Sequence, residues 1–142
     1  GDKALRPMVE KRPWGKYYVL EHSEHEDGSC CITKKLTVKA GKNISYQYHQ
    51  KRSEVWTIVE GIGIFILNDT LQVAKPGSVF KIDVGDKHAM RAVEDLTMIE
   101  VQIGTELIEE DIVRIEKNWD KILLMCNALS KSDKDQTMNT GE

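Results

Sequence analysis

Two stretches of this 142-residue chain carry side chains that could bind one metal ion together. The first contains Gln47, His49 and Glu54, and the second ends at His88. Gln47 and His49 are two residues apart, so on a strand both side chains leave the same face of the sheet. Glu54 follows a short polar turn, which can bring the next strand back past the first. Two imidazoles, a carboxylate and an amide oxygen suit a divalent transition metal.

Glycines at regular positions around these side chains indicate which kind of metal site the chain forms. The first stretch lies between Gly41 and Gly61, and the second begins at Gly77. The two-part pattern resembles the signature of the cupin superfamily, in which glycines and metal ligands recur at fixed intervals. Gln47 stands where a first histidine is usual, and Asp83 stands where a proline is usual. The resemblance implies one bound divalent metal ion, with zinc, manganese, iron, nickel and cobalt all open.

A narrower resemblance covers about residues 12–119. The chain is similar to the C-terminal cupin domain of type II mannose-6-phosphate isomerases, which is often fused behind a GDP-mannose pyrophosphorylase; here we expect a stand-alone form. The matching positions are the segments 12–15, 36–41 and 99–116, together with Gln47, His49, Arg52, Glu54 and Trp56. A glutamine in the first ligand position is typical of that family. The resemblance therefore implies the metal ligands Gln47, His49, Glu54 and His88.

Short apolar and β-branched runs separated by turn residues extend from Ile32 to Ile103, which predicts antiparallel sheets. We expect an all-β fold, a small double-stranded β-helix or jelly-roll cupin barrel with a C-terminal helical segment. The predicted strands are 31–38, 45–49, 54–59, 63–67, 71–74, 78–82, 88–93 and 96–103. Asn68 and Asp69 predict a tight hairpin turn, because both residue types tolerate the left-handed backbone. The charged segment 21–27 predicts a solvated loop.

The chain is long enough for one domain with a core and too short for two. We expect an N-terminal arm at 1–11, the cupin domain at 12–119, a C-terminal helix at 120–130 and a flexible tail at 131–142. Apolar residues at helical spacing after Trp119 predict a helix face that packs on the barrel or on a second subunit. Acidic residues at 109–111 indicate a short helix or a turn.

Composition excludes several classes of function. The 20 basic and 23 acidic residues are mixed throughout and give a net charge of -3, so no basic stripe is available for nucleic acid. No apolar run approaches the roughly 20 residues that cross a bilayer, and no signal-peptide pattern opens the chain, so we expect no membrane partner and a cytoplasmic location. The adjacent Cys30 and Cys31, with Cys126 far along the chain, disfavour disulfides.

The predicted metal would act as a Lewis acid on a carbonyl and an adjacent hydroxyl, which is what an aldose-to-ketose isomerisation requires. The resemblance implies that Arg12, Arg52 and Arg114 bind a sugar phosphate, since a guanidinium binds two phosphate oxygens at once. The alternative for each is an exposed or structural ion pair. We assign Lys51 and Arg52 as catalytic residues. Lys51 needs a pKa lowered by burial to serve as the proton carrier.

Other proton carriers are open at this stage. They are a tyrosine such as Tyr46 or Tyr48, and a hydroxide on the metal. The alternation of the strand weakens both tyrosines, because they face away from Gln47 and His49.

These observations favour an enzyme of polysaccharide biosynthesis that interconverts mannose 6-phosphate and fructose 6-phosphate, and we expect a homodimer. The chain departs from the family at Gln50, Lys51 and Val55, where histidines are common, and at 118–121. Those departures favour the alternative, a non-catalytic cupin that binds a carbohydrate or sugar nucleotide and acts with a separate nucleotidyltransferase. A metal-dependent dioxygenase is a third possibility that shares the barrel.

Overall fold

The computed structural model describes residues 8–127, which form two antiparallel sheets and one helix. The strands are β1 (Met8–Arg12), β2 (Gly15–Glu24), β3 (Cys30–Val38), β4 (Asn43–Tyr48), β5 (Arg52–Glu60), β6 (Gly63–Leu67), β7 (Thr70–Ala74), β8 (Val79–Ile82), β9 (His88–Ala92), β10 (Leu96–Gly104) and β11 (Val113–Glu116). Helix α1 covers 119–127. The predicted all-β class is confirmed. The predicted tail, the last part of the predicted helix and residues 1–7 of the predicted arm lie outside the described residues.

The two sheets face each other and enclose the main core. The six-stranded sheet has the order β1-β2-β3-β10-β5-β8, and the five-stranded sheet has the order β11-β4-β9-β6-β7. Inward side chains of both sheets meet, as where Phe65 of β6 stacks on Phe80 of β8 with ring centroids 4.1 Å apart. Trp56 packs edge-on against Phe65 at 5.5 Å. This apolar layer closes one part of the barrel and supports the polar side chains above it.

A β-bulge in β4 decides which of its side chains face inward. Ile44 pairs with Met90 of β9, and Gln47 pairs with His88, so β4 has one extra residue between the two pairs. Ile44 therefore packs in the main core, whereas Tyr46, two residues later, packs on the outer face. Such a bulge re-aims the side chains that follow it. It turns Gln47 toward the interior beside His88.

Two turns contain residues with a left-handed backbone. Asn68 and Asp69 have φ of 47° and 69° and join β6 to β7, which confirms the predicted hairpin. Gly61, after β5, has φ of 87°, and a Cβ there would lie 2.2 Å from the carbonyl oxygen of Asp95. Only glycine fits this close approach, because a side chain would both strain the backbone and overlap the neighbouring turn.

Helix α1 covers the outer face of the five-stranded sheet. Its buried side chains, Trp119, Ile122 and Cys126, form a second core cluster with Tyr46, Ile66 and Ala89. The predicted packing of this helix on the barrel is confirmed. Cys30, Cys31 and Cys126, all within the described residues, are free thiols. Within 8–127, no helix is long and apolar enough to cross a membrane.

One predicted loop is partly a strand, and one strand was not predicted. Strand β2 continues to Glu24, so the first half of the predicted loop at 21–27 is a strand, held by the pairing of Glu24 with Cys30. The acidic segment near Glu110 forms a turn, one of the two predicted alternatives, and the unpredicted strand β11 follows it and pairs with β4. Strand β2 carries several exposed charged residues and β11 has only four residues, so neither shows the alternation expected of a half-buried strand.

Candidate metal centre

Three separate parts of the fold bring His49, Glu54 and His88 together. His49 follows the end of β4, Glu54 lies on β5 and His88 opens β9. All three side chains are at most 2% exposed. Glu54 Oε2 lies 3.2 Å from His49 Nε2, and Glu54 Oε1 lies 3.9 Å from His88 Nε2. The ligating atoms all lie within 4.8 Å of one another, which is close enough to surround a single ion. We call these three residues the triad.

Backbone carbonyls fix the orientation of both imidazoles. His49 Nδ1 lies 2.7 Å from the carbonyl oxygen of Asp111, and His88 Nδ1 lies 2.9 Å from that of Asp86. Because a carbonyl oxygen only accepts, each Nδ1 carries the proton and each Nε2 presents a lone pair to Glu54. Among the described residues, His88 Nε2 is a buried nitrogen with no hydrogen-bond partner. An imidazole held this way is typical of a metal ligand.

The charge states of the triad also suit a cation. Burial lowers the pKa of His88 to about 4 and also lowers that of His49, so both rings are neutral at neutral pH. Burial alone would raise the pKa of Glu54, but the positive charge of Arg52, together with that of His88 and His49 once acid protonates them, outweighs it and lowers that pKa. Neutral imidazoles and an ionised carboxylate are the forms that bind metals.

Arg52 and Trp56, on the same strand as Glu54, hold its carboxylate in place. Arg52 Nε donates to Glu54 Oε2 at 2.7 Å, and Trp56 Nε1 donates to Glu54 Oε1 at 2.9 Å. Arg52 Nη2 lies 3.4 Å from His49 Nε2. The three strand positions alternate by two, so the side chains share the inner face. Arg52 supplies the positive charge that balances Glu54 in this structure.

Gln47 lies beside the triad on the inner face of β4. It is the direct cross-strand partner of His88, and its Oε1 accepts a hydrogen bond from Ser45 Oγ at 2.8 Å. An amide oxygen has two lone pairs, so one is left for a further contact. The four side chains predicted from the sequence as ligands are therefore neighbours in space.

A cavity of about 1120 Å³ opens between the sheets next to the triad. Gln47 and Arg52 line it, so Arg52 stands between this space and the carboxylate of Glu54. The lining has six basic side chains and four glutamates. The basic ones are Arg12, Lys34, Lys42, Arg52, Arg114 and Lys117, and the glutamates are Glu10, Glu100, Glu109 and Glu110. The excess of positive charge favours an anionic ligand.

The family described as mannose-6-phosphate isomerase C-terminal matches residues 4–117 of the chain. This protein belongs to that family. The mannose-1-phosphate guanylyltransferase of Salmonella typhimurium is 31% identical over 113 residues, covering 78% of this chain and 22% of the relative. The mannose-1-phosphate guanylyltransferase of Salmonella muenchen is 34% identical over 109 residues, covering 75% of this chain and 22% of the relative. The chain thus spans about a fifth of the length of these curated relatives.

Solved structures with the same fold come from different proteins. The capsular polysaccharide assembling protein CapF of Staphylococcus aureus has a TM-score of 0.64 and 14% identity, covering 78% of this chain and 34% of that chain. An oxalate decarboxylase variant of Bacillus subtilis has a TM-score of 0.66 and 12% identity, covering 79% of this chain and 31% of that chain. These similarities confirm the predicted cupin barrel.

The structure separates Lys51 from the other predicted substrate-binding and catalytic residues. Arg12, Arg52 and Arg114 all line the cavity. Lys51 lies outside that lining, half exposed, with its ammonium 2.8 Å from Glu106 Oε2. The hydrogen bond to Glu106 raises the pKa of Lys51, whereas a proton carrier at this position required a pKa lowered by burial. Its environment therefore does not support that role.

Sequence reasoning missed two polar side chains on the inner wall of the domain. Glu100 and Gln102 of β10 both line the cavity and are at most 5% exposed. Burial, aided by the charge of Glu54, raises the pKa of Glu100 to about 7. The alternation of β10 contained the signal, since Leu96 and Met98 face the core and Glu100 and Gln102 continue the same inward face.

A second group of possible ligands lies at the far end of the β2-β3 hairpin. Its members are His22, Glu24 and Cys30, whose ligating atoms also lie within 4.8 Å of one another. His22 and Glu24 are exposed, whereas every member of the triad is buried. Burial and fixed orientation favour the triad as the metal centre of this domain.

Replacing Asp111 with Ala is expected to weaken metal binding about 10-fold and to lower the free energy of unfolding by about 2 kcal/mol. Its carboxylate accepts the backbone N–H groups of Gln50 and Lys51 at 2.8 and 3.0 Å, and its own carbonyl orients His49. Without the carboxylate, this link to the turn after β4 is lost. Chelator competition and urea denaturation measure the two effects. The exposed neighbour substitution Glu110→Ala is the control, and equal affinities in the two variants would contradict the prediction.

Proposed function

We propose that this cupin domain is a metal-dependent sugar-phosphate isomerase that interconverts mannose 6-phosphate and fructose 6-phosphate. One observation carries the proposal. Two imidazole Nε2 lone pairs and one carboxylate converge at a buried point beside a cavity with an excess of basic side chains. The family description, which names mannose-6-phosphate isomerase, supports the choice of substrate.

His49, Glu54 and His88 would hold the ion, with Gln47 alongside. A divalent ion supplies a Lewis acid, which polarises the carbonyl and adjacent hydroxyl oxygens of an open-chain sugar. Zinc, manganese, iron, nickel and cobalt all suit a shell of nitrogen and oxygen ligands. Manganese belongs in the test because Mn(II) centres are named for the oxalate decarboxylase of Bacillus subtilis, a structure of the same fold.

Arg52 contacts the triad and also lines the cavity in which a substrate would bind. Its guanidinium now contacts Glu54 and approaches His49, the same groups that would hold a cation. The guanidinium would repel a cation held by the triad, so it would be better placed in the cavity that it already lines. There, with Arg12 and Arg114, it can bind a phosphate or sugar oxygen through paired N–H groups.

A second function is favoured by the curated relatives, which are named as guanylyltransferases and are several times longer than this chain. In this alternative the domain binds a carbohydrate or sugar nucleotide without turnover and acts with a separate nucleotidyltransferase. The absence of histidines at Gln50 and Val55 agrees with it. A homodimer and a cytoplasmic location stay predictions, and light scattering of the purified protein tests the former.

The purified protein is expected to isomerise mannose 6-phosphate only when a divalent metal is present. Turnover is measured in a coupled assay after chelation and after adding back each of the five metals, with His49→Ala as the control. Activity restored by metal and lost in His49→Ala would support the isomerase. Metal binding without turnover for any metal would contradict it and favour the binding function. Oxygen uptake would instead point to a dioxygenase.

A further inference from the structure

Glu100 stands at the inner wall of the cavity, one position along the sheet from the triad. Its cross-strand neighbours are Lys34 on β3 and Trp56 on β5. In the next row Gln102 pairs with Glu54. The Glu100 side chain is 5% exposed and lines the cavity. Glu54 is therefore the diagonal neighbour of Glu100 across the strand pair. Diagonal neighbours on one face of a sheet lie about 7–8 Å apart, so the Glu100 side chain lies one row from the triad.

The Glu100 carboxylate is incompletely satisfied. Its Oε1 accepts a hydrogen bond from Gln102 Nε2 at 2.5 Å. Within residues 8–127, Oε2 makes no hydrogen bond. This oxygen is not fully buried, so it is open to the cavity that Glu100 lines. No basic nitrogen in this part of the chain lies within 4.0 Å of the carboxylate, and the ammonium of Lys34 sits over the Tyr17 ring, 4.4 Å from its centroid.

A buried carboxyl without a paired cation destabilises a fold, so packing does not account for Glu100. Of the four glutamates that line the cavity, all within the described residues, Glu100 is the buried one. Three other side chains considered for proton transfer are placed elsewhere. Glu54 is assigned to the metal, Lys51 is bound to Glu106, and Tyr46 packs on the outer face with its hydroxyl on Asp69.

We propose that Glu100 is the catalytic group that moves the proton between C2 and C1 of the open-chain sugar phosphate, an inference that rests on the isomerase function proposed above. The carboxylate removes the C2 proton, the C–H electron pair forms the C1–C2 double bond, and the carbonyl pair moves onto O1. The carboxylic acid then returns its proton to C1 as the C2–O2 double bond forms. Water exchanges the O2 proton for one on O1, so atoms and charge balance.

The substitution Glu100→Gln keeps the size and the hydrogen bond to Gln102 but removes the proton carrier. It is expected to lower kcat about 10²- to 10⁴-fold while KM and metal affinity stay unchanged. In D2O the native protein should incorporate deuterium at C2 of mannose 6-phosphate and at C1 of fructose 6-phosphate, and the variant should lose both exchanges. Glu100→Asp, which keeps a carboxylate, should recover part of the exchange. Glu94→Gln, an exposed change just before β10, is the matched control.

The outcomes separate this inference from the function on which it rests. If the metal-loaded native protein is inactive, the isomerase function fails and the role of Glu100 fails with it. If the native protein is active and Glu100→Gln retains its kcat and its deuterium exchange, the role of Glu100 alone is overturned. A rise in KM with kcat and exchange unchanged would assign Glu100 to sugar binding and would also overturn the proposal.

Discussion

Replacing Glu54 with Gln is expected to weaken divalent-metal binding about 10²- to 10³-fold, because four-ligand structural zinc sites gain about 10 to 16 kcal/mol in total and Glu54 is the one anionic ligand here. Metal-dependent turnover should fall with the loss of the ion. The free energy of unfolding of the variant should also fall by about 3 kcal/mol, because Arg52, whose side chain is 11% exposed, keeps its charge but loses its carboxylate partner. Calorimetric metal titration and urea denaturation measure the two effects.

A second variant separates the two roles of Glu54. In the double substitution Arg52→Gln with Glu54→Gln, neither charge is left buried, so part of the stability should return while metal binding stays lost. Glu60→Gln, at the exposed end of the same strand, is the control and should change neither quantity. Native metal affinity in Glu54→Gln would place the metal somewhere other than the triad.

Local patterns in the sequence were enough to predict much of this fold. The turn at Asn68 and Asp69 follows from what two adjacent residues tolerate, and the strands around it follow from short-range alternation. The spacing of His49 and Glu54 identified ligands on two neighbouring segments, and His88 completed the set through the family resemblance. The structure brings these three side chains together as the prediction required.

The contacts that organise the site depend on distant parts of the chain, and sequence alone did not show them. Asp111 reaches the turn after β4 from a loop 61 residues away and fixes the orientation of His49. The bulge in β4 arises from its pairing with β9, which no local pattern indicates. The folded structure also distinguishes Lys51 from Glu100. Lys51 binds Glu106 outside the cavity, whereas Glu100 lines the cavity.

Glu100→Gln is expected to stabilise the metal-free protein, by an amount that grows with pH. Burial raises the pKa of the Glu100 carboxyl from its ordinary value of 4.5 to about 7. Between these values the folded state keeps a proton that the unfolded state releases. The native protein therefore loses stability as pH rises through this window, whereas glutamine does not titrate. The shift corresponds to about 3 kcal/mol at 1.36 kcal/mol per pH unit.

Urea denaturation with a chelator present, at about pH 4.5 and about pH 8, measures this difference in unfolding free energy between the native protein and Glu100→Gln. The lowered pKa values of His49 and His88 also make stability depend on pH, but they act in both proteins and cancel in the difference. Glu94→Gln should show a difference that does not change with pH. A constant difference for Glu100→Gln would mean that the carboxyl ionises without penalty in the folded state. A difference that grows with pH would mean that the Glu100 carboxyl lowers the stability of the native protein, as expected of a residue retained for function.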